Sequence, residues 1–98
     1  MIKVIVKEEN NRIKEVTIKG HALYDTLGKD IVCAAVSSIV ITTVNAIESI
    51  SNGSIKCDES VFKIDVLKQD EETEKLLINM INMLKELSKE YPKNIKVL

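Results

Sequence analysis

The 98-residue chain carries one histidine, His21, and two cysteines, Cys33 and Cys57. Imidazole and thiol together are the minimum apparatus for attack by sulfur. The ring takes the thiol proton and later returns it to a departing amine. His21 follows Gly20 in a stretch, Gly20 to Lys29, that shows neither strand nor helix periodicity and has Gly20 and Gly28 near its ends. Asp30 then stands where a helix N-cap belongs. With Asp30 as the cap, Cys33 falls in the first turn, close to unpaired backbone N–H groups and the positive end of the helix dipole. That setting favours a thiolate.

Two neighbours have roles that the residues alone leave open. Asp30 near Cys33 would oppose a thiolate, but as a partner of the imidazole it would orient His21 and stabilise its protonated form. It could also simply cap the helix. Ser37 lies one helical turn beyond Cys33 on the same face. It could hydrogen-bond the sulfur or a reacting carbonyl, or bond back to the Cys33 carbonyl. The bland alternatives stand beside these: a cysteine among Ile, Val and Ala is commonly a small buried hydrophobe, and a loop histidine is commonly solvated. Cys57, beside Ile55 in a strand-like run, reads as structural. Zinc needs four close N or S ligands, and two cysteines and one histidine, widely separated, do not supply them, so no metal is expected.

Gly20 and Gly28 can absorb large backbone changes, which predicts a hinged loop that brings His21 to Cys33 when substrate binds; the alternative is that both glycines merely make turns. The elements that must hold this loop are legible on both sides. Ile2, Val4 and Val6 alternate with Lys3, Ile5 and Lys7, and Val16 and Ile18 alternate with Thr17 and Lys19. Together they predict a hairpin turning at Glu8–Asn11. A helix from Asp30 to about Asn52 follows, stopped by Gly53. It is apolar nearly all round over its first four turns and so needs cover on more than one side.

Residues 54–58 and 61–67 read as a second hairpin around Asp58, Glu59 and Ser60, burying Phe62, Ile64 and Val66. Asp70 to Glu74 open a second helix with acidic residues that suit its dipole. Leu77, Met80, Ile81, Leu84 and Leu87 form its apolar stripe, Pro92 ends it, and residues 94–98 fit a short edge strand. The order ββαββα with that C-terminal strand predicts one domain over residues 1–98, an α+β two-layer sandwich with an antiparallel sheet packed by two helices.

Composition narrows the function classes. The formal charge is −1, with Lys and Arg mixed among Asp and Glu, and aromatics are 3%. Neither a basic surplus nor a stacking platform is present, which argues against direct nucleic-acid binding. The N-terminal run lacks the apolar core of a signal peptide. The stretch 31–50 is too polar for a membrane span. The expectation is a cytoplasmic protein with reduced thiols.

The run Gly20-His21-Ala22, then Gly28, then Asp30-Ile31-Val32-Cys33-Ala34-Ala35-Val36-Ser37 closely resembles the signature of the ribosomal-processing cysteine protease family, often called Prp. The resemblance extends to the order of elements and the length. It implies that Cys33 is the nucleophile and His21 its general base, with Asp30 and Ser37 in support. It also implies a homodimer with the central helices at the interface, and it implies no cofactor. The substrate it implies is the N-terminal extension of a large-subunit ribosomal protein, cut after an apolar segment ending in phenylalanine. The rival from another class is a non-enzymatic, dimeric, ribosome-associated binding module.

Overall fold

The computed structural model describes residues 1–20, 31–59 and 61–98. In chain order the elements are β1 (Ile2–Glu9), β2 (Arg12–Lys19), α1 (Ile31–Ile50), β3 (Ile55–Asp58), β4 (Lys63–Val66), α2 (Glu71–Glu90) and β5 (Ile95–Val97). The α+β fold and the predicted order hold. Four strands pair antiparallel, in the order β3-β4-β2-β1. The fifth makes the sheet mixed: β5 runs parallel to β1, with Ile2 opposite Ile95 and Val4 opposite Val97. The reason is the connection, because α2 carries the chain back along the sheet so that β5 starts from the same end as β4 and β1.

β1 and β2 turn through Asn10 and Asn11, at φ 55° and 63°. Two left-handed residues give the hairpin turn whose twist matches its strands, and asparagine tolerates that region. Near this turn the register shifts: Lys7 faces Glu15, whereas Glu8 faces Ile13. Lys14 is thus the extra residue of a β-bulge. The bulge changes the phase of the alternation, so Ile13 is buried together with Val16 and Ile18. A strict two-residue period would have turned it to the other face. The Ile13 N–H donates to the Glu74 carboxylate at 3.1 Å, tying the start of β2 to α2. Lys14 Nζ donates to the Val66 carbonyl at 3.1 Å.

Both helices cover one face of the sheet. Val32, Cys33, Val36, Val40, Thr43 and Ile47 form the buried stripe of α1, and Thr73, Leu77, Met80, Ile81 and Leu84 that of α2. Burying a side chain such as Leu77 or Leu84, both at 0% exposure, stabilises by about 1.5–3 kcal/mol. Although its Ser, Thr, Asn and Glu residues suggested too polar a stretch, α1 is by length and composition long and apolar enough to cross a bilayer, a test that the core helix of a globular domain also passes. Its far side remains uncovered in the single chain, with Ile41 45% exposed and Ala34, Ser38 and Asn45 exposed beside it.

A polar joint fixes the end where α1 stops and α2 starts. Asp70 caps α2, accepting the Thr73 N–H at 2.8 Å, and the Ser51 hydroxyl donates to the same carboxylate. The Thr73 hydroxyl donates to Ser54 Oγ at 2.8 Å, with both residues essentially inaccessible. The Ser54 carbonyl accepts from Leu67 and Lys68. Serine and threonine hydroxyls can be buried here because each finds a partner.

The helix and strand limits are tighter than the sequence suggested. α1 ends at Ile50 before Gly53, which sits at φ +85°. β4 spans only Lys63–Val66, because Phe62 is left-handed (φ 48°) and belongs to the turn. Val66 faces Ile55 at the end of the sheet nearest the polar joint, and Lys63 faces Thr17 towards the other end. A 20-residue helix is about 30 Å long, comparable to the reach of β2. The first turn of α1 therefore stands at the far end, with Gly20 and Phe62.

Candidate active site

Cys33 occupies the first turn of α1 as described and is 6% exposed, a member of the buried core. The start of an α-helix has N–H groups without intrahelical carbonyl partners and a positive dipole end, so negative charge is favoured there. Among the described residues, the first turn of α1 carries no acidic side chain to oppose that charge. Ser37 lies on the same side of the helix and is half-buried. The structure thus brings together two of the expected site residues. His21, Gly28 and Asp30 lie outside the described residues.

Gly20, immediately before His21, has φ +77°. A β-carbon built on it would lie 2.4 Å from the Met1 carbonyl oxygen and 3.3 Å from the Met1 carbonyl carbon. Both the left-handed backbone and the close approach of β1 require glycine. Met1 cannot easily give way, since the next residue, Ile2, donates its N–H to the Asn94 carbonyl at 2.8 Å. The chain therefore enters the histidine-bearing segment from a point fixed against Met1 at the end of the central strands.

The two thiols differ in setting. Neither Cys33 nor Cys57 is in a disulfide. Cys57 is half-buried in β3, and its pKa is pushed up, first by burial and then by the carboxylates of Glu59, Asp58 and Glu48. Both causes penalise a thiolate, so Cys57 is a poor nucleophile. The sequence reading assigned it a structural role from its strand neighbours. The acidic surroundings give that assignment a physical cause.

Among the described residues, no group of three or more His, Cys, Asp or Glu side chains could hold a metal ion. A groove of about 490 Å³, lined by Val6, Ile13, Ile81, Lys85 and Leu98 among others, opens beside α2. It lies towards the β1–β2 turn, at the opposite end of the sheet from Cys33. One residue near the cysteine end escaped notice as anything but core. Phe62 could have been flagged as an aromatic residue directly abutting a turn.

The fold matches that of known proteins. The family model described as cysteine protease Prp matches residues 1–96. A ribosomal processing cysteine protease Prp from Staphylococcus aureus is 28% identical over 98 residues, covering 95% of this chain and 92% of the relative. The crystal structure of the S. aureus protease with a substrate peptide superposes with a TM-score of 0.84 at 28% identity, covering 100% of this chain and 98% of that one. Its complex with a covalently linked product peptide gives 0.83 at 29% identity, over 99% and 97% of the two chains. A Streptococcus mutans structure gives 0.81 at 29% identity, over 99% and 91%. A first-turn cysteine on a five-stranded mixed sheet, matched over nearly its whole length, identifies this chain as a cysteine protease, a member of the Prp family.

Proposed function

We propose that this protease removes the N-terminal extension of a large-subunit ribosomal protein precursor, with Cys33 as nucleophile and His21 as general base and acid. The single observation that carries the assignment of Cys33 is its place in the first turn of α1, on a helix that the sheet and α2 hold firmly. Substrate processing is supported by the names of the relatives, which are ribosomal processing proteases, one of them solved with a substrate peptide.

In this mechanism His21 takes the Cys33 proton, and the thiolate attacks the carbonyl carbon of the scissile peptide. Backbone N–H groups at the start of α1 stabilise the oxyanion of the tetrahedral intermediate. The C–N bond breaks as His21 delivers its proton to the departing amine, leaving a thioester on Cys33. His21 then deprotonates a water, which attacks the thioester, and the thiolate is regenerated as the acid product leaves. Asp30 orients the imidazole, and Ser37 assists from the next turn. Gly20 and Gly28 serve as the hinge of the His21 loop. The enzyme works in the cytoplasm without a cofactor, as a homodimer in which the uncovered faces of two α1 helices, around Ile41, meet.

The test is incubation with the full-length precursor and reading of the new N-terminus by mass spectrometry. The expected product begins immediately after an apolar segment ending in phenylalanine. A folded Cys33→Ala protein should give no product. Cleavage by that variant, or none by the unaltered protein, would overturn the proposal.

A further inference from the structure

Five of the described residues have a positive φ: Asn10, Asn11, Gly20, Gly53 and Phe62. Four of them are residue types that tolerate the left-handed region. Phe62 is not, and a bulky side chain there persists only where its surroundings hold it. Glycine or asparagine would make the β3–β4 turn with less strain, so the ring must be kept for something other than turning the chain.

A backbone hydrogen bond and deep burial hold it. The Phe62 carbonyl accepts the Ile18 N–H at 3.0 Å, extending the pairing of β2 with β4 one step past Thr17 and Lys63. The residue is 4% exposed and belongs to the single buried core of the domain, which also includes Cys33. Its neighbour Val61 is 57% exposed. The left-handed backbone is what lets one turn residue face solvent while the next turns its side chain inward. That inward position is at the Gly20 end of the sheet, where α1 begins.

We propose that Phe62 is a positioning residue for Cys33. Its ring fills the sheet-side floor at the end where the first turn of α1 rests, and so sets the depth and direction of the sulfur. The role rests on the reading of Cys33 as the nucleophile. Phe62 acts through the helix seat and need not touch substrate. Removing the ring should let the first turn settle or tilt, while Ser51, bonded to the Ile47 carbonyl and to Asp70, keeps the other end of α1 in place.

The experiment uses Phe62→Gly, which relieves the left-handed strain as it removes the ring, and Phe62→Leu, which retains an apolar side chain. Three quantities are read on protein shown to be folded by its melting curve. These are kcat and KM on a peptide with an apolar segment ending in phenylalanine, and the pH profile of Cys33 alkylation by iodoacetamide. Phe62→Gly should lose at least about tenfold in kcat with KM changed less than about twofold, since small misplacements of a reacting group cost rate more than binding. Its alkylation midpoint should shift, and Phe62→Leu should recover most of both.

Unchanged kcat and an unchanged alkylation profile in a folded Phe62→Gly protein would overturn the proposal and leave Phe62 a packing residue. If Phe62→Gly fails to fold, Phe62→Asn, which tolerates the left-handed backbone and also lacks the ring, decides the matter. A lower kcat with a shifted profile supports the role, and unaltered values refute it. The alkylation profile needs no substrate, so it distinguishes failure of this proposal from failure of the assigned substrate, which would appear as no cleavage by the unaltered protein.

Discussion

Replacing Gly20 by alanine should damage catalysis out of proportion to stability, and Gly53 supplies the control. Both glycines are left-handed, at φ +77° and +85°. An alanine forced into that region costs about 1–2 kcal/mol at either site. The surroundings differ sharply. Around Gly53 nothing lies within 4 Å of the added carbon, whereas at Gly20 the Met1 carbonyl oxygen is 2.4 Å away. Overpacking of that kind adds about 1–3 kcal/mol if the structure holds still. It is more cheaply relieved by moving residue 20, because Met1 is followed by the hydrogen-bonded Ile2. Movement of residue 20 carries the adjoining His21 with it.

The expected outcome is therefore split. Gly53→Ala should lower the melting temperature by roughly 4–16 °C, the equivalent of 1–2 kcal/mol in a domain of this size, with peptide cleavage at the native rate below the transition. Gly20→Ala should melt at least as low and also lose roughly a hundredfold in kcat/KM, the scale of an ångström's misplacement of a catalytic group. Melting curves and cleavage of the same peptide, measured side by side, make the comparison. If Gly20→Ala is no less stable than Gly53→Ala and cleaves at the native rate, the close approach to Met1 positions nothing and the reasoning fails.

Three further outcomes follow from the polar joint and the second thiol. Thr73→Val removes the donor to the buried Ser54 hydroxyl and should cost about 1–3 kcal/mol in denaturant titration, leaving cleavage per folded molecule intact. Asp70 has its carboxyl pKa lowered to about 2, chiefly by the Ser51 hydroxyl and then by Thr73. A lowered folded pKa means stability that is complete above the unfolded value near 4 and fades as pH falls towards 2. The stability gap between the native protein and Asp70→Asn should accordingly close over that window in acid titrations. Cys57 should react with iodoacetamide much more slowly than Cys33 at neutral pH, because burial and Glu59, Asp58 and Glu48 raise its pKa. Peptide mapping that finds Cys57 labelled first would contradict this.

Much of the fold is visible in the chain itself, and the departures have identifiable causes. Alternation in β1 and the apolar stripe of α2 are local patterns, and both elements stand where those patterns put them. Strict alternation would leave Ile13 outside the core, because the Lys14 bulge resets the phase of β2. Only the partner strand's register reveals that bulge. The parallel pairing of β5 with β1 rests on three register pairs, too short a run to carry a direction of its own. The acidic start of α2 is legible as a response to the helix dipole. Its fuller use is tertiary: Asp70 joins two helices through Ser51, and Glu74 takes the Ile13 N–H that the bulge region presents. An apolar circumference predicts cover all round α1, yet within one chain Ile41 on its far side is 45% exposed.

The proposed site rests on a different signal, the run from Gly20 to Ser37 that resembles the family's signature. Nothing local separates Cys33 from a small core hydrophobe, and in the structure it is buried like one. A cysteine in mid-helix with the same burial would be inert. What distinguishes Cys33 is its distance from the helix start, and that depends on where the preceding segment lets the helix begin. Gly20 fixes one end of that segment against β1, and the joint of Ser51, Asp70, Thr73 and Ser54 fixes the far end of α1. In the proposed mechanism, reactivity at residue 33 is a property of placement, set by residues with no nucleophilic chemistry of their own. That is why Gly20 and Phe62, silent in composition and periodicity, are the positions where small changes should separate activity from stability.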